Sequence, residues 1–251
     1  MHLRFANMPV YNNVLEYISI GYLVCAILVL NTSTSVQFIL TIVLLLLYWA
    51  LFLFIPAPGW QGEIFSGQMN LGIYIDNVVL GQFHEPGSCR ILANISLIAN
   101  MLLGVLTGKI IFSDRNKESK TKLLFMYGFI MLFAGFIWGQ LYPIIRTLWT
   151  GSYVLLTCGI STLLLAAFYF IIDVRGYSKW AFFFLVFGAN SIVIYMMAHM
   201  FDFRLIGNIF VGGLSSLFAA NVQDFIQAVG AMIIMWLIMY WMYRKKTFIK
   251  I

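Results

Sequence analysis

A polytopic bundle of transmembrane α-helices is the fold this sequence predicts, and three observations carry the reading. Hydrophobic side chains make up 62% of the 251 residues and charged ones only 10%, with a mean hydropathy of +0.93. A soluble domain carries roughly a quarter charged residues to face water. Several apolar runs approach or exceed the ~20 residues with which a helix crosses ~30 Å of hydrocarbon. They are too long, and alternate too little, to be strands.

In chain order the expected spans are 14–30, 35–55, 91–112, 123–141, 152–172, 181–200 and 225–243, seven in a single transmembrane domain covering 1–251. Residues 1–13 are polar and mixed, and the first apolar run is too long for the h-region of a cleavable signal peptide. Between the second and third spans lies the longest polar segment, 56–90. Its Pro and Gly residues signal turns, and NLGIYIDNVVLG within it predicts a short helix at the membrane interface. SDRNKESKTK (113–122) is a solvated connector, and DVRGYSKW (173–180) a tight turn. Gly104/Gly108 and Gly135/Gly139 are spaced to let helix backbones approach closely.

Lysine and arginine set the expected orientation. With a cytoplasmic C-terminus the inner side holds Lys109, Arg115, Lys117, Lys120, Lys122, Arg175, Lys179, Arg244, Lys245, Lys246 and Lys250. The outer side holds Arg4, Arg90, Arg146 and Arg204, so the split is eleven to four and the N-terminus lies outside. The net charge of +6 is thereby explained by loop anchoring at the bilayer, without a nucleic-acid partner. Cys25, Cys89 and Cys158 are scattered, with neither a disulfide framework nor metal-ligand spacing, and no metal site is expected.

The polar residues in and beside the spans are the candidate functional groups, because each is costly there. Asp76, His84 and Glu85 lie in the outer segment, and His199 ends the sixth span beside Asp202. His84 reads either as an exposed loop histidine or as a general base, and it is the one candidate catalytic residue. Asn190, in mid-span, must find hydrogen-bond partners. LYPIIRTLWTGSYVL (141–155) concentrates polar groups between apolar runs. There Arg146 either marks the headgroup level with Trp149 and Tyr153 or grips a phosphate or carboxylate.

PIIRTLWTGSYVL, followed by IIDVRGYSKWAFFFLVFGANSIVIY, resembles the heparan-alpha-glucosaminide N-acetyltransferase family and its bacterial relatives. Pro143, Leu148, Trp149, Thr150, Ser152, Tyr153, Asp173, Val174, Gly176, Gly188, Asn190, Ser191 and Ile192 match its motifs. NLGIYIDNVVLG and VLEYISIGY are similar to its outer loop and to a helix start. The resemblance implies that the seven spans are the C-terminal portion of an eleven-span acyltransferase fold. It implies an acetyl group passed across the membrane from acetyl-CoA to an amino sugar or other glycan acceptor. Asp76, Arg146, Trp149, Ser152, Tyr153 and Asn190 become candidates for binding substrate or cofactor. The family's histidine belongs to the four spans that would precede this chain, and none of His2, His84 or His199 stands in its motif. Activity then depends on that missing N-terminal helical partner, on a homo-oligomer, or is lost.

Three departures stand out. Relatives read Gln-Arg where this chain has Glu16 and Tyr17, and Asn-Lys where it has Ile145 and Arg146. They read Asp-Pro-Glu-Gly where it offers Ser88, Cys89 and Arg90. The alternative expectation is a non-enzymatic binding, transport or assembly partner for envelope glycans or lipids. Either way the expected setting is the lipid bilayer of a bacterial cytoplasmic membrane.

Overall fold

The computed structural model describes residues 14–83, 87, 89–216 and 218–249, and among them it is helical with no strand. Ten α-helices follow one another: α1 Val14–Asn31, α2 Thr34–Phe54, α3 Leu71–Leu80, α4 Ala93–Ile111, α5 Lys117–Trp138, α6 Gly151–Tyr169, α7 Phe182–Gly188, α8 Ser191–Met200, α9 Phe203–Ser215 and α10 Ala220–Arg244. A π-helical turn, Phe170–Val174, extends α6.

Five segments are long and apolar enough to cross a membrane: α2, α4, α5, α6 with its π extension, and Val222–Arg244 of α10. In each, only 17–28% of the apolar window is buried inside the protein. The remainder is apolar surface far beyond what a protein in water exposes, and lipid is the solvent that accounts for it. The molecule is an integral membrane protein.

All seven expected runs are helical, but the run 181–200 is not one rod. It breaks at Ala189 and Asn190 into α7 and α8, bent by 60°. At 1.5 Å per residue these pieces are about 10 and 15 Å long, and neither alone crosses the hydrocarbon; counted as one broken span, the pair makes a sixth. α1 covers the first expected span, 14–30, and at 18 residues is slightly shorter than the five long segments. The chain also packs as two compact units, 1–174 and 175–251, where the sequence suggests a single domain.

In the first unit, local chemistry sets the helix ends. The Ser33 hydroxyl accepts from Val36 N and starts α2; Asn116 caps α5 by accepting from Ser119 N at 2.8 Å. Buried Gln37 donates to the carbonyls of Thr32 and Val29 near the end of α1, and accepts from Lys109 Nζ at 2.7 Å. Lys117 and Lys120 donate to the carbonyls of Asp173 and Ile111. One end of this bundle is therefore the lysine end.

α5 and α6 form its tightest seam. A Cβ on Gly135 would lie 2.5 Å from Leu156 N, and one on Gly159 2.5 Å from Leu132 N, so both glycines permit backbone contact. The expected pair Gly104/Gly108 faces open space instead, and a Cβ on Gly139 meets the side chain of Ile144.

In the second unit, α9 lies against α10 where Gly207 and Gly230 bring the backbones together. Met239 and Met242 of α10 bury Val186 of α7, and Trp236 Nε1 donates to Phe183 O at 3.2 Å.

Candidate functional site

Opposite the lysine end, the first unit gathers aromatic and polar side chains from α1, α2, α3, the entry to α4 and the α5–α6 connector. Asn70 caps α3 by accepting from Ile73 N at 3.0 Å. That places Leu71, Gly72, Ile73 and Asp76 on the buried face. Gly72 leaves no room for a side chain: a Cβ there would stand 2.1 Å from Cys89 Sγ. This close approach delivers the fully buried Asp76 carboxylate to the segment before α4. There it accepts from Arg90 N at 2.5 Å and from Ile91 N at 3.0 Å. Its negative charge also suits the start of a helix.

Asp76 thus fixes the backbone from which Arg90 springs. The guanidinium donates from Nη1 to the Tyr17 hydroxyl at 2.8 Å, with its carbon 5.3 Å from the Tyr17 ring centroid. The Tyr17 ring meets Trp149 edge-on at 6.1 Å, and Trp149 meets Tyr153 at the same distance. A cation resting on the first of three successive aromatic rings results.

The connector is pinned from several directions. Ser152 Oγ donates to Tyr142 O at 2.6 Å and lies 3.2 Å from Thr150 Oγ, which accepts from Ile145 N. Tyr48 OH donates to Leu148 O at 2.6 Å. So held, Trp149 adopts a left-handed backbone, φ +53°. This is rare for a bulky residue and persists only where the surroundings over-determine it. Its indole Nε1–H is buried and has no hydrogen-bond partner among the described residues.

The candidates of the sequence divide accordingly. Asp76, Trp149, Ser152 and Tyr153 come together at this end, with Ser152 bonded to the loop it closes. Arg146 stands on the same connector but is exposed, and its carbonyl accepts from Trp149 N in the tight turn. Asn190 belongs to the second unit. Its amide donates to Thr247 O at 3.1 Å and accepts from Ile249 N at 3.0 Å, tying down the tail after α10. His84 and Glu85 lie outside the described residues, and among those described no cluster of metal-binding side chains occurs. Arg90 and Tyr17 are central, although the sequence marks them only as departures from a motif. A cation immediately before an apolar run was their signal.

Cys89 is buried beside Asp76, its Sγ 3.7 Å from Tyr48 OH. Burial first, and the Asp76 charge second, push its thiol up to about 12. The thiol is neutral at physiological pH and a poor nucleophile, so it does not suit covalent catalysis. A thiol pKa of about 8.5 in the unfolded chain means the folded state holds its proton more tightly. That stabilisation is complete below about pH 8.5 and is lost as pH rises through 12. Burial also raises the Tyr142 hydroxyl, in the same direction. We expect thermal melts in detergent to fall progressively above pH 8.5, with Cys89→Ala flattening part of that fall. Iodoacetamide at pH 8 should modify Cys89 only after denaturation, as peptide mass mapping would read directly.

No family model and no curated protein matches this chain.

Proposed function

We propose that the aromatic end of the first unit binds an anionic acyl donor of the acetyl-CoA type, and that the protein is an acyltransferase-like membrane protein acting on a sugar or glycan acceptor. One observation carries the reading: the strained, half-buried Trp149 holds a buried, uncommitted indole N–H, its ring packed against Tyr17 of the Arg90–Tyr17 pair. Strain held at such cost is characteristic of functional sites. A guanidinium and a directed N–H suit a phosphate, or the oxygen on which charge develops during acyl transfer.

The departures from the resembling family support the same reading. Relatives carry arginine at the position of Tyr17 and an acidic residue in the segment before the third expected span. Here that segment supplies Arg90, and its guanidinium reaches Tyr17. In the proposed reaction the acetyl carbonyl carbon passes from the CoA sulfur to the acceptor nitrogen or oxygen. The thiolate leaves, and the acceptor's proton goes to a base. Arg90 and Trp149 bind and orient; the base is not among them. In the orientation expected from the lysine and arginine bias this end faces away from the cytoplasm, where it would meet the acyl end of the donor and the acceptor.

Calorimetry of the purified protein with acetyl-CoA tests the proposal. We expect Arg90→Gln to weaken binding at least tenfold, the loss of about one charge-assisted hydrogen bond. Trp149→Phe should weaken it about fivefold through the lost N–H. No binding heat from protein shown to be folded by its melt would sink the reading.

A second reading, a non-enzymatic binder of envelope glycans or lipids, is favoured by a specific observation. The Asp76 carboxylate and the Ser152 hydroxyl are both bonded to loop backbone, and neither is poised to take a proton. Acceptor binding without acetyl transfer, measured with radiolabelled acetyl-CoA, would select it.

A further inference from the structure

The second unit carries a different site, built where α10 ends. After Arg244 the chain turns back on itself. Lys246 adopts a left-handed backbone, φ +55°, while Lys246 N and Thr247 N donate to the carbonyls of Tyr243 and Met242. This is the Schellman ending common at helix C-termini, with lysine at the position glycine usually takes. Beyond it the tail is tied down by Asn190, which grips Thr247 O and Ile249 N with both ends of its amide. Phe248 is thereby set edge-on to Tyr243 at 6.0 Å, and Phe182 faces Tyr243 edge-on at 5.8 Å. These residues enclose, with Tyr240, Arg244 and Lys246, an open cavity of about 430 Å³.

We propose that this tail-closed cavity binds the headgroup phosphate of an anionic glycerophospholipid. The walls are aromatic and the rim bears two cations, the complement of a phosphodiester joined to hydrocarbon. The position favours lipid over a soluble anion. The cavity sits at the end of a helix long and apolar enough to span the membrane, at the level where headgroups lie. Basic pockets at such helix ends select acidic headgroups, whereas scattered lysines merely attract the surface. Asn190 acts as a positioning residue: it touches no ligand and holds the loop that does.

Native mass spectrometry of the full chain in detergent, titrated with phosphatidylglycerol or phosphatidylcholine, tests the proposal. We expect Arg244→Gln and Lys246→Gln each to reduce phosphatidylglycerol retention about fivefold. Lys245→Gln removes the same charge outside the cavity and should leave retention unchanged, and phosphatidylcholine should distinguish none of the variants. Phe248→Ala opens the cavity without touching the Asn190 bonds and should also reduce retention, which keeps the test valid if Asn190→Ala fails to fold. Equal losses for Lys245→Gln and Arg244→Gln would mean generic surface attraction and overturn the proposal. So would displacement of bound lipid by millimolar glycerol phosphate, which would mark a site for soluble anions.

Discussion

Gly159→Ala is expected to lower the stability of the folded protein by about 3 kcal/mol, near the upper end for overpacking a close-packed interior. The added methyl would sit 2.5 Å from Leu132 N, 2.8 Å from Leu132 Cα and 2.9 Å from Gly128 O. All three are backbone atoms, and no rotamer change moves them aside. Alanine's better helix propensity returns about 1 kcal/mol, too little to reverse the sign. Gly135→Ala, with its Cβ 2.5 Å from Leu156 N, should behave alike. The double variant should cost less than the sum, because helices parted by the first methyl have already made room for the second. Gly104→Ala and Gly108→Ala are the internal controls. Their Cβ positions are open, so each should be neutral or stabilising by up to about 1 kcal/mol. Unfolding in mixed detergent micelles, followed by circular dichroism, reads all five.

That contrast shows how far the sequence was legible. Glycines four residues apart permit close packing, but periodicity cannot say which helix face meets a neighbour. Gly135 found a partner and Gly104 did not. The long spans were readable because the cost of burying backbone polar groups in lipid leaves little alternative to a helix. The break within the run 181–200 was not legible, because a polar Asn190 in an apolar stretch calls for partners without saying that the helix bends there. The bend there coincides with Asn190 bonding a tail 57 and 59 residues further on, a contact no local pattern announces. α9 was missed because Gly207, Gly212 and Gly213 punctuate it like a loop; its glycine contact with α10 explains one of the three. At the site, Asp76 and Trp149 stood out by chemistry alone. Arg146 and Arg90 could not be ranked from sequence, since both are cations at a span's edge. Only the fold shows that Arg90 turns in against Tyr17.

Asp76→Ala should be the most damaging change at the candidate site. The carboxylate is fully buried, and its two oxygens serve Arg90 N and Ile91 N at the entry to α4. Truncation leaves both donors without an acceptor, at about 1–3 kcal/mol each, so a loss of about 4 kcal/mol is expected in the melt. Asp76→Asn retains one acceptor and turns its amide NH₂ toward the other donor, and should cost about half as much. Stability alone would not separate a scaffold role from a functional one; a double-mutant cycle does. If Asp76 acts by aiming Arg90, then Asp76→Asn should weaken acetyl-CoA binding nearly as much as Arg90→Gln. Combining the two should weaken it no further, while their stability costs still accumulate. Binding losses that multiply would mean that Asp76 and Arg90 serve a ligand separately. In that case the hydrogen bonds from Arg90 N and Ile91 N would be incidental to recognition, and the contact of the guanidinium with the Tyr17 ring would be no more than packing.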